Sequence, residues 1–249
     1  MLNINEIYLG DCLEIMKNID KGSVDMILAD LPFGLTRNSK DIRIPMEPLW
    51  KEYNRIIKDN GVIALFAQGM FTAELMMANK KMWRYNLIYN KGNRVSGFLN
   101  SNRQPLRSHE DIVLYYRKQP TYNPFTKYSQ EGEPLHSKGK KYLTKEGVNN
   151  NYGYYDTTLP ETRKGSTQKY PKSVLNFNRP SPGEILHPTQ KPLELCEYLI
   201  LTYTNPDELV LDNTCGVGTS LLAAKNTFRN YIGIEMDKKW FDIAIDRLK

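Results

Sequence analysis

The chain has 249 residues, which suffices for one large α/β domain, or for a core domain with an insertion, around a sizeable hydrophobic core. Three widely spaced cysteines (Cys12, Cys196 and Cys215) form no C-x-x-C pair, so we expect a cytoplasmic protein rather than a disulfide-stabilised secreted one. No apolar run approaches the ~20 residues that cross a bilayer, and the first residues do not resemble a targeting segment, so we expect no membrane association.

Basic residues exceed acidic residues by 34 to 28, and the excess is confined to one segment. Residues 117–185 contain 12 basic and 6 acidic residues, a balance of +6, whereas the rest of the chain balances at 22 against 22. A localised positive charge suits a polyanion such as nucleic acid, although charge alone is equally consistent with a solvated basic loop.

From residue 6 to about residue 116, short apolar runs alternate with helical patterns. Val24–Ala29, Val62–Phe66 and Ile112–Tyr116 are predicted to be buried strands. Leu49–Ile57 has apolar residues at helical spacing, and Asp59-Asn60-Gly61 predicts the C-terminal end of that helix.

The segment from about residue 118 to 182 is rich in Tyr, Asn, Lys, Gly and Pro and lacks periodicity, which predicts an inserted lobe or a set of long loops. Regular patterning returns after His187. The predicted elements there are helix Leu193–Tyr203, strand Glu208–Asp212, helix Thr219–Asn226, strand Tyr231–Glu235 and helix Trp240–Leu248. Strands that alternate with helices predict a doubly wound α/β fold with a parallel sheet, in which ligands bind beyond the carboxyl ends of the strands.

A glycine-containing turn joins the predicted strand that ends at Asp212 to the helix that begins at Thr219. Gly216 and Gly218 allow a tight turn and the close approach of a ligand. Glu235 ends the next strand, where a carboxylate can accept hydrogen bonds from ribose hydroxyls. A structural turn with a surface acid is the alternative, but the pairing of the two features favours a nucleoside. Because the third glycine of a dinucleotide fingerprint and the phosphate-binding G-x-x-x-x-G-K-[ST] motif are absent, S-adenosylmethionine is the better candidate.

Three motifs resemble those of DNA methyltransferases that modify the amino group of adenine (N6) or cytosine (N4). Asp212–Thr219 (DNTCGVGT) is similar to their D-P-F-x-G-S-G-T cofactor loop, and Asp30–Gly34 (DLPFG) resembles their D-P-P-Y catalytic motif. His187–Pro192 (HPTQKP) resembles the H-P-T-x-K-P element of their beta class. The order of the motifs, with a basic lobe after the catalytic motif, is the circularly permuted arrangement of that class.

The resemblance implies a circularly permuted, Rossmann-like methyltransferase core in three parts. Residues 1–117 would be its catalytic half, residues 118–185 an inserted target-recognition region and residues 186–249 its cofactor-binding half. It also implies double-stranded DNA as substrate, S-adenosylmethionine as cofactor and a place in restriction–modification. Whether the chain forms a homodimer, as members of the class often do, is left open.

By this resemblance, strand ends and loops bind the cofactor. The predicted contacts are Asp11, Cys12, Asp30, Thr189, Lys191, Asp212, Thr214, Gly216, Gly218, Thr219, Glu235 and Met236. Asp212, Thr214, Gly216 and Gly218 would line the methionine portion, and Glu235 would bind the ribose. Thr189 and Lys191 would lie near the cofactor carboxylate. Asp11 would contact the adenine amino group, the alternative being an N-cap for a predicted helix Leu13–Ile19.

Asp30, Leu31, Pro32 and Phe33 are the predicted catalytic residues. An exocyclic amine is a poor nucleophile because its lone pair is delocalised into the ring. A fixed Asp30 carboxylate and the Leu31 carbonyl, each accepting an N–H bond, would make the nitrogen more nucleophilic. Pro32 limits the backbone freedom of the loop, and Phe33 can stack on a base rotated out of the duplex.

The loop departs from the common motif because Leu31 replaces a proline and Phe33 replaces a tyrosine. Asp30 favours N6-adenine, since N4-cytosine enzymes of this family more often carry Ser at that position. The alternatives are N4-cytosine methylation, an RNA or protein methyltransferase, and a non-catalytic nucleic-acid-binding relative. Taken alone, the loop could also be a strand-ending Asp-x-Pro turn.

The basic middle segment contains seven tyrosines, a mixture that suits phosphate contacts with some stacking. We expect its basic side chains to contact DNA phosphates and to make the affinity salt-dependent. The predicted DNA-binding residues are Lys138, Lys140, Lys141, Arg163, Lys164 and Lys172. Because the three histidines do not lie at ligand spacing with each other or with cysteines, we expect no metal site.

Overall fold

The computed structural model describes residues 2–34, 42–92, 95–129, 131, 167–181, 183, 185–187 and 189–249. Within these residues, no helix is both long enough and apolar enough to span a membrane. The predicted DNA-binding residues Lys138, Lys140, Lys141, Arg163 and Lys164 lie outside the described residues.

Strands and helices alternate along most of the described chain. The strands are β1 (Glu6–Leu9), β2 (Val24–Ala29), β3 (Ile57–Ala67), β4 (Trp83–Asn90), β5 (His109–Tyr115), β6 (Val174–Asn176), β7 (Leu209–Asp212) and β8 (Asn230–Glu235). The helices are α1 (Cys12–Ile15), α2 (Met46–Ile56), α3 (Met70–Ala78), α4 (Leu193–Tyr203), α5 (Thr219–Asn226) and α6 (Lys238–Leu248). Short 3₁₀ turns cover Met16–Asn18 and Phe98–Asn100.

The eight strands form one sheet in the order β1-β8-β7-β2-β3-β5-β4-β6. The predicted doubly wound α/β fold is confirmed, but the expectation of a purely parallel sheet is wrong. Strand β5 runs antiparallel to both of its neighbours, β3 and β4. A strand that returns beside its predecessor without a crossover helix must be antiparallel to it, and the described residues between β4 and β5 include no helix other than a short 3₁₀ turn.

The four strands β1, β8, β7 and β2 are mutually parallel, so their carboxyl ends meet at one edge of the sheet. Asp30 follows β2, Asp212 ends β7, Glu235 ends β8 and Asp11 follows β1. The predicted catalytic and cofactor-binding acids are therefore brought to the same edge, where doubly wound folds bind ligands.

Strand β2 lies in the interior of the protein, because all six of its residues are buried. A strand that is buried along its whole length, with Asp25 as its one charged residue, is typical of a parallel sheet that is covered on both faces. Helix α2 packs on it through the apolar stripe of Leu49, Trp50, Tyr53 and Ile56, all of which are buried. This packing anchors the strand from which Asp30 emerges.

Two predicted boundaries differ from the structure. Asp59-Asn60-Gly61 does not end a helix: α2 stops at Ile56, and the three residues belong to β3. They lie in an irregular stretch where Val24 pairs with Ile57 but Met26 pairs with Val62, so extra residues bulge out of the β2–β3 ladder. The predicted helix Leu13–Ile19 is a single α-turn, Cys12–Ile15, followed by the 3₁₀ turn.

The chain divides into two compact units, one of residues 1–123 with 172–249 and one of residues 124–171. In the described part of the smaller unit, Phe125 and Tyr170 pack with ring centroids 5.1 Å apart, and Glu131 bridges Gln168 in antiparallel fashion. The smaller unit is shorter than the predicted insert of residues 118–185, because β6 belongs to the sheet of the larger unit. The functional division of the chain into three parts stays a prediction.

Candidate active site

The loop that follows β2 is held from both sides by the surrounding protein. Leu31 is only 3% exposed and joins the hydrophobic core, whereas Pro32 and Phe33 are half-buried. The Phe33 ring packs on Phe71 of α3 with centroids 5.1 Å apart. Arg43 donates from Nε to the Phe33 carbonyl at 2.7 Å, so the main chain of the loop is clamped at its far end.

The Asp30 carboxylate ends a row of four alternating charges. Lys191 Nζ lies 2.5 Å from Asp30 Oδ2 and 3.3 Å from Glu110 Oε2. Glu110 Oε1 in turn lies 2.6 Å from Lys91 Nζ. The side chains of Lys91, Lys191 and Glu110 are 6%, 10% and 14% exposed, and that of Asp30 is 27% exposed. Two positive and two negative groups thus neutralise each other in a site with little access to water.

Burial and the neighbouring charges act against each other in this row. Burial would lower the pKa of Lys191, but the carboxylates of Asp30 and Glu110 outweigh it and raise that pKa, so Lys191 is a cation. Burial raises the pKa of Asp30, and Lys191 offsets this only in part. For Glu110, burial is outweighed by its two lysine partners, Lys191 and Lys91, which lower its pKa. Lys191 also lies over the Phe66 ring, 4.9 Å from the centroid.

The turn after β7 is shaped by Asp212, which is 5% exposed. Its Oδ1 accepts from the Thr214 amide at 3.0 Å, and its Oδ2 accepts from the Ser220 hydroxyl. Burial raises the pKa of Asp212 to about 7, an effect that the two hydrogen bonds reduce. Thr214 then donates from its hydroxyl to the Asp30 carbonyl at 3.2 Å. The loops after β7 and β2 are therefore joined by a direct hydrogen bond.

Gly216 and Gly218 occupy the left-handed region, with φ of +52° and +73°, which explains why glycine is required in this turn. A Cβ at Gly216 would meet open space, whereas one at Gly218 would lie 3.2 Å from Ala244 Cβ on α6. Gly216 therefore leaves room for a ligand, while Gly218 permits close packing of two helices. The sequence interpretation had given both glycines the same ligand-facing role.

Glu235 is half-buried, and its carboxylate is fixed by main-chain donors. Gly216 N donates to Oε2 at 2.8 Å, and Asp237 N donates to Oε1 at 2.7 Å. Each oxygen keeps a further lone pair, so the group can still accept two hydroxyl bonds. Burial raises the pKa of Glu235 above its usual value. A rigid acceptor beside an open glycine turn fits the ribose of an adenosine-containing cofactor.

Asp11 caps α1, since its Oδ1 accepts from the Leu13 amide at 2.7 Å. Asp11 is therefore the N-cap that the sequence offered as the alternative. Its exposed side chain also lies close to the end of β8, because the preceding residue, Gly10, donates from its amide to the Glu235 carbonyl at 2.9 Å. Cys12 points into the core and is 8% exposed.

The remaining predicted cofactor contacts are spread over several environments. Met236 is 65% exposed at the end of β8. The Thr219 hydroxyl is buried and accepts from Arg247 at 2.8 Å. The Thr189 hydroxyl is 3.0 Å from His187 Nδ1, and that ring packs edge-on against Trp240 with centroids 4.4 Å apart. Lys191 points at Asp30, as described above. Contacts of these residues with a cofactor stay predictions.

The sequence of this chain matches a family model, N6_N4_Mtase, described as DNA methylase, over residues 24–246. That range includes both the charge row at Asp30 and the glycine turn. The chain belongs to this DNA methylase family. The family predicted from the motifs is thereby confirmed.

Two curated relatives of the family align with nearly the whole chain. The Type II methyltransferase M.HinfI of Haemophilus influenzae is 28% identical, over 99% of this chain and 68% of the relative. The Type II methyltransferase M2.MboI of Moraxella bovis is also 28% identical, over 96% of this chain and 85% of the relative.

Solved structures of methyltransferases share the fold. The complex of M1.HpyAVI with SAM superposes with a TM-score of 0.66 at 25% identity, covering 98% of each chain. The PvuII DNA methyltransferase, described as cytosine-N4-specific, gives a TM-score of 0.68 at 16% identity, covering 99% of this chain and 87% of that one. The second likeness is one of fold alone.

Sequence reasoning missed most of the residues that hold the DNA methylase site together. Lys91 follows β4 and Glu110 lies in β5, but nothing in the sequence pairs them with Lys191. Tyr53 donates to Asn213 Oδ1 at 2.5 Å beneath the glycine turn, and both residues are buried. One signal was available: an acid and a lysine placed at the ends of neighbouring apolar strands indicate a buried ion pair.

Of the predicted DNA-binding residues, the structure describes Lys172, which is exposed and lies just before β6. Its contact with DNA stays a prediction. Among the described residues, no cluster of three or more His, Cys, Asp or Glu side chains could hold a metal ion.

Proposed function

We propose that this chain is a site-specific DNA methyltransferase that transfers a methyl group from S-adenosylmethionine to the N6 amino group of adenine. Membership of the DNA methylase family supplies the reaction class. The observation that carries the proposal is the position of Asp30, at the edge of the sheet where the parallel strands end. Its carboxylate is held by Lys191, and its main-chain carbonyl accepts from Thr214 of the glycine-turn loop.

Asp30 is suited to receive an amino group. Among the described residues only Oδ2 is engaged, by Lys191, so Oδ1 can accept one N–H of the target amine. The Leu31 carbonyl is the second acceptor in the same loop. Two fixed acceptors favour a pyramidal nitrogen whose lone pair is directed at the methyl donor, and they need no reorganisation during the reaction.

Phe33 supplies the apolar surface for the base. A duplex hides the amino group, so the target nucleotide must rotate out of the stack before its nitrogen can meet the donor. The Phe33 ring is half-buried and already rests on Phe71, so it offers a preformed stacking face. The tyrosine hydroxyl of the common motif is not needed for stacking.

S-adenosylmethionine, when bound, supplies the electrophilic methyl group on its sulfonium. The residues that would hold it are Glu235 for the ribose, Asp11 for the adenine amino group and the turn around Gly216 for the methionine portion. Asp212 is also proposed to line the methionine portion, and its carboxylate fixes the turn by accepting from Thr214 and Ser220. The cofactor predicted from the motifs is also present in the solved complex of a relative.

Duplex DNA is the substrate that the family implies, and the modification belongs to the restriction–modification kind. The basic residues Lys138, Lys140, Lys141, Arg163, Lys164 and Lys172 are proposed to contact phosphates. Charge reversal at these positions should weaken DNA binding and reduce its salt dependence, because a protein that contacts fewer phosphates displaces fewer counterions from the DNA. An unchanged salt slope would contradict this assignment.

N4-cytosine is the second candidate base, because both amines suit the same acceptors. The test is incubation with radiolabelled S-adenosylmethionine and unmethylated genomic DNA, RNA or protein, followed by digestion and identification of the labelled product. Label in N6-methyladenine supports the proposal, and label in N4-methylcytosine replaces adenine by cytosine. Label only in RNA or protein would refute a DNA substrate.

Asp30→Asn tests the catalytic assignment while keeping the shape of the side chain. Loss of the anionic acceptor should lower the methyl-transfer rate by at least about 10²-fold, while cofactor affinity is largely retained. Turnover close to that of the wild type would show that Asp30 is not the catalytic acceptor.

A further inference from the structure

We infer that Glu110, backed by Lys91, is a positioning residue for methyl transfer, which acts by holding Lys191 and, through it, the Asp30 carboxylate. The inference rests on the proposed function and names residues to which neither the motifs nor the comparisons assign a role. It starts from the geometry of the charge row.

Lys91 and Glu110 come from a rigid part of the sheet. Strands β4 and β5 pair in antiparallel fashion with Tyr89 opposite Glu110, and Lys91 follows directly, its amide donating to the Ser108 carbonyl at 2.8 Å. Both side chains are nearly enclosed, and their charged atoms are 2.6 Å apart. This pair is a fixed anchor that does not depend on the loop after β2.

Lys191 lies outside the strands and helices of the described residues, just before α4, so no strand or helix fixes its backbone. With Asp30 as its only partner, a lysine could follow the carboxylate as the carboxylate turned. A second contact, 3.3 Å to Glu110, fixes Nζ at a point set by the sheet. Because Nζ is fixed, Asp30 Oδ2 is fixed 2.5 Å away, which leaves Oδ1 to accept from the substrate.

Net charge explains why a whole row is needed. Lys191 and Glu110 are too enclosed to be left without partners, because an unpaired charge inside a protein is strongly unfavourable. Lys91 neutralises Glu110, and Lys191 neutralises Asp30, so the set of four is balanced. The balanced set can therefore be buried, and Lys191 can still hold Asp30 by a charge-assisted hydrogen bond.

Three variants separate positioning from ordinary structural support. Glu110→Gln keeps the side-chain shape but weakens the hold on Lys191. The double variant Lys91→Met/Glu110→Gln removes one charge of each sign, so the site stays neutral while Lys191 still loses its anchor. Asp25→Asn is the matched control, because Asp25 is an equally buried, lysine-paired carboxylate at the opposite end of β2.

The measurements are the single-turnover rate of methyl transfer to DNA, the dissociation constant of S-adenosylmethionine and the urea midpoint of each folded variant. Glu110→Gln should lower the rate by about 10-fold to 100-fold with cofactor affinity within about twofold of wild type, as expected for a misplaced catalytic group. The double variant should regain the stability that Glu110→Gln loses but stay slow. Asp25→Asn should lose stability and keep its rate.

A rate for Glu110→Gln within about twofold of wild type would overturn the inference. So would recovery of the rate in the double variant, since Glu110 would then serve only to neutralise Lys91. Equal rate losses in Asp25→Asn and Glu110→Gln would likewise reduce Glu110 to a structural residue. If Glu110→Gln alone does not fold, the charge-balanced double variant decides by its rate. Failure of the wild type to methylate DNA would instead refute the proposed function.

Discussion

Asp212 gives a prediction about stability that depends on pH. Its carboxylate is buried under the glycine turn, and this burial raises its pKa from 3.8 to about 7. A carboxyl group whose pKa is higher in the folded protein stabilises the fold fully at acidic pH, and this contribution is lost as the pH rises through the folded value. Above neutral pH, the protein therefore contains a buried carboxylate that weakens it.

The size of the effect follows from the shift. The folded and unfolded pKa values of Asp212 differ by roughly 3, which corresponds to about 4 kcal/mol in total, at 1.36 kcal/mol for a pKa difference of 1. Between about pH 5 and pH 8, where folding can be measured, the part that is lost amounts to about 2 to 3 kcal/mol. Asp212→Asn cannot ionise and can still accept from Thr214 through its amide oxygen. Its stability relative to wild type should therefore rise by this amount across that range.

The assay is urea unfolding of wild type and Asp212→Asn at both pH values, without cofactor. Ser220→Ala is the opposite control, because the Ser220 hydroxyl lowers the pKa of Asp212 and its loss should make the stability of the protein fall more steeply with pH. If the difference in unfolding free energy between Asp212→Asn and wild type were equal at the two pH values, Asp212 would not be the buried acid described here.

Two further predictions use paired variants. Tyr53→Phe should lower the free energy of unfolding in urea by about 1 to 3 kcal/mol, because the buried Asn213 oxygen loses its donor. Tyr115→Phe should be neutral or stabilising, since the buried Tyr115 hydroxyl has no hydrogen-bond partner among the described residues. Equal losses of stability in the two variants would contradict this account. Gly218→Ala should lower the thermal stability more than Gly22→Ala. Both residues have a left-handed φ, in which alanine is strained by about 1 to 2 kcal/mol, but a Cβ would crowd a neighbouring helix only at Gly218. Equal losses of stability would show that α6 can accommodate the added Cβ.

The central sheet could be predicted because its signals are local. The apolar run Val24–Ala29 and the helices Leu193–Tyr203 and Thr219–Asn226 are found at the predicted bounds, since burial on both faces or on one stripe leaves a pattern in consecutive residues. The antiparallel direction of β5 has no such pattern. It depends on whether the chain after β4 crosses the sheet or turns back, and the residues of β5 are equally apolar in either case.

The acids of the site were predictable for the same reason. Asp30, Asp212 and Glu235 each end an apolar run, and parallel strands bring such ends together. Their tasks were not predictable, because these depend on partners far away in sequence. Asp212 was assigned to the cofactor, and the sequence did not show that its two oxygens also accept from Thr214 and Ser220 inside the turn. Lys191 was assigned to a cofactor carboxylate, and it contacts Asp30, 161 positions away.

The departure of the catalytic loop from the common motif is explained by how the loop is held. A proline at the second position would restrict the backbone by its ring, whereas Leu31 restricts it by burying its side chain in the core. The main chain on either side is fixed from outside, by Thr214 at the Asp30 carbonyl and by Arg43 at the Phe33 carbonyl. A loop with three such attachments needs no second proline to keep its carbonyl and carboxylate aimed. We therefore expect the loop sequence D-L-P-F to keep the preorganisation that the proposed amine methylation requires, despite its differences from the motif.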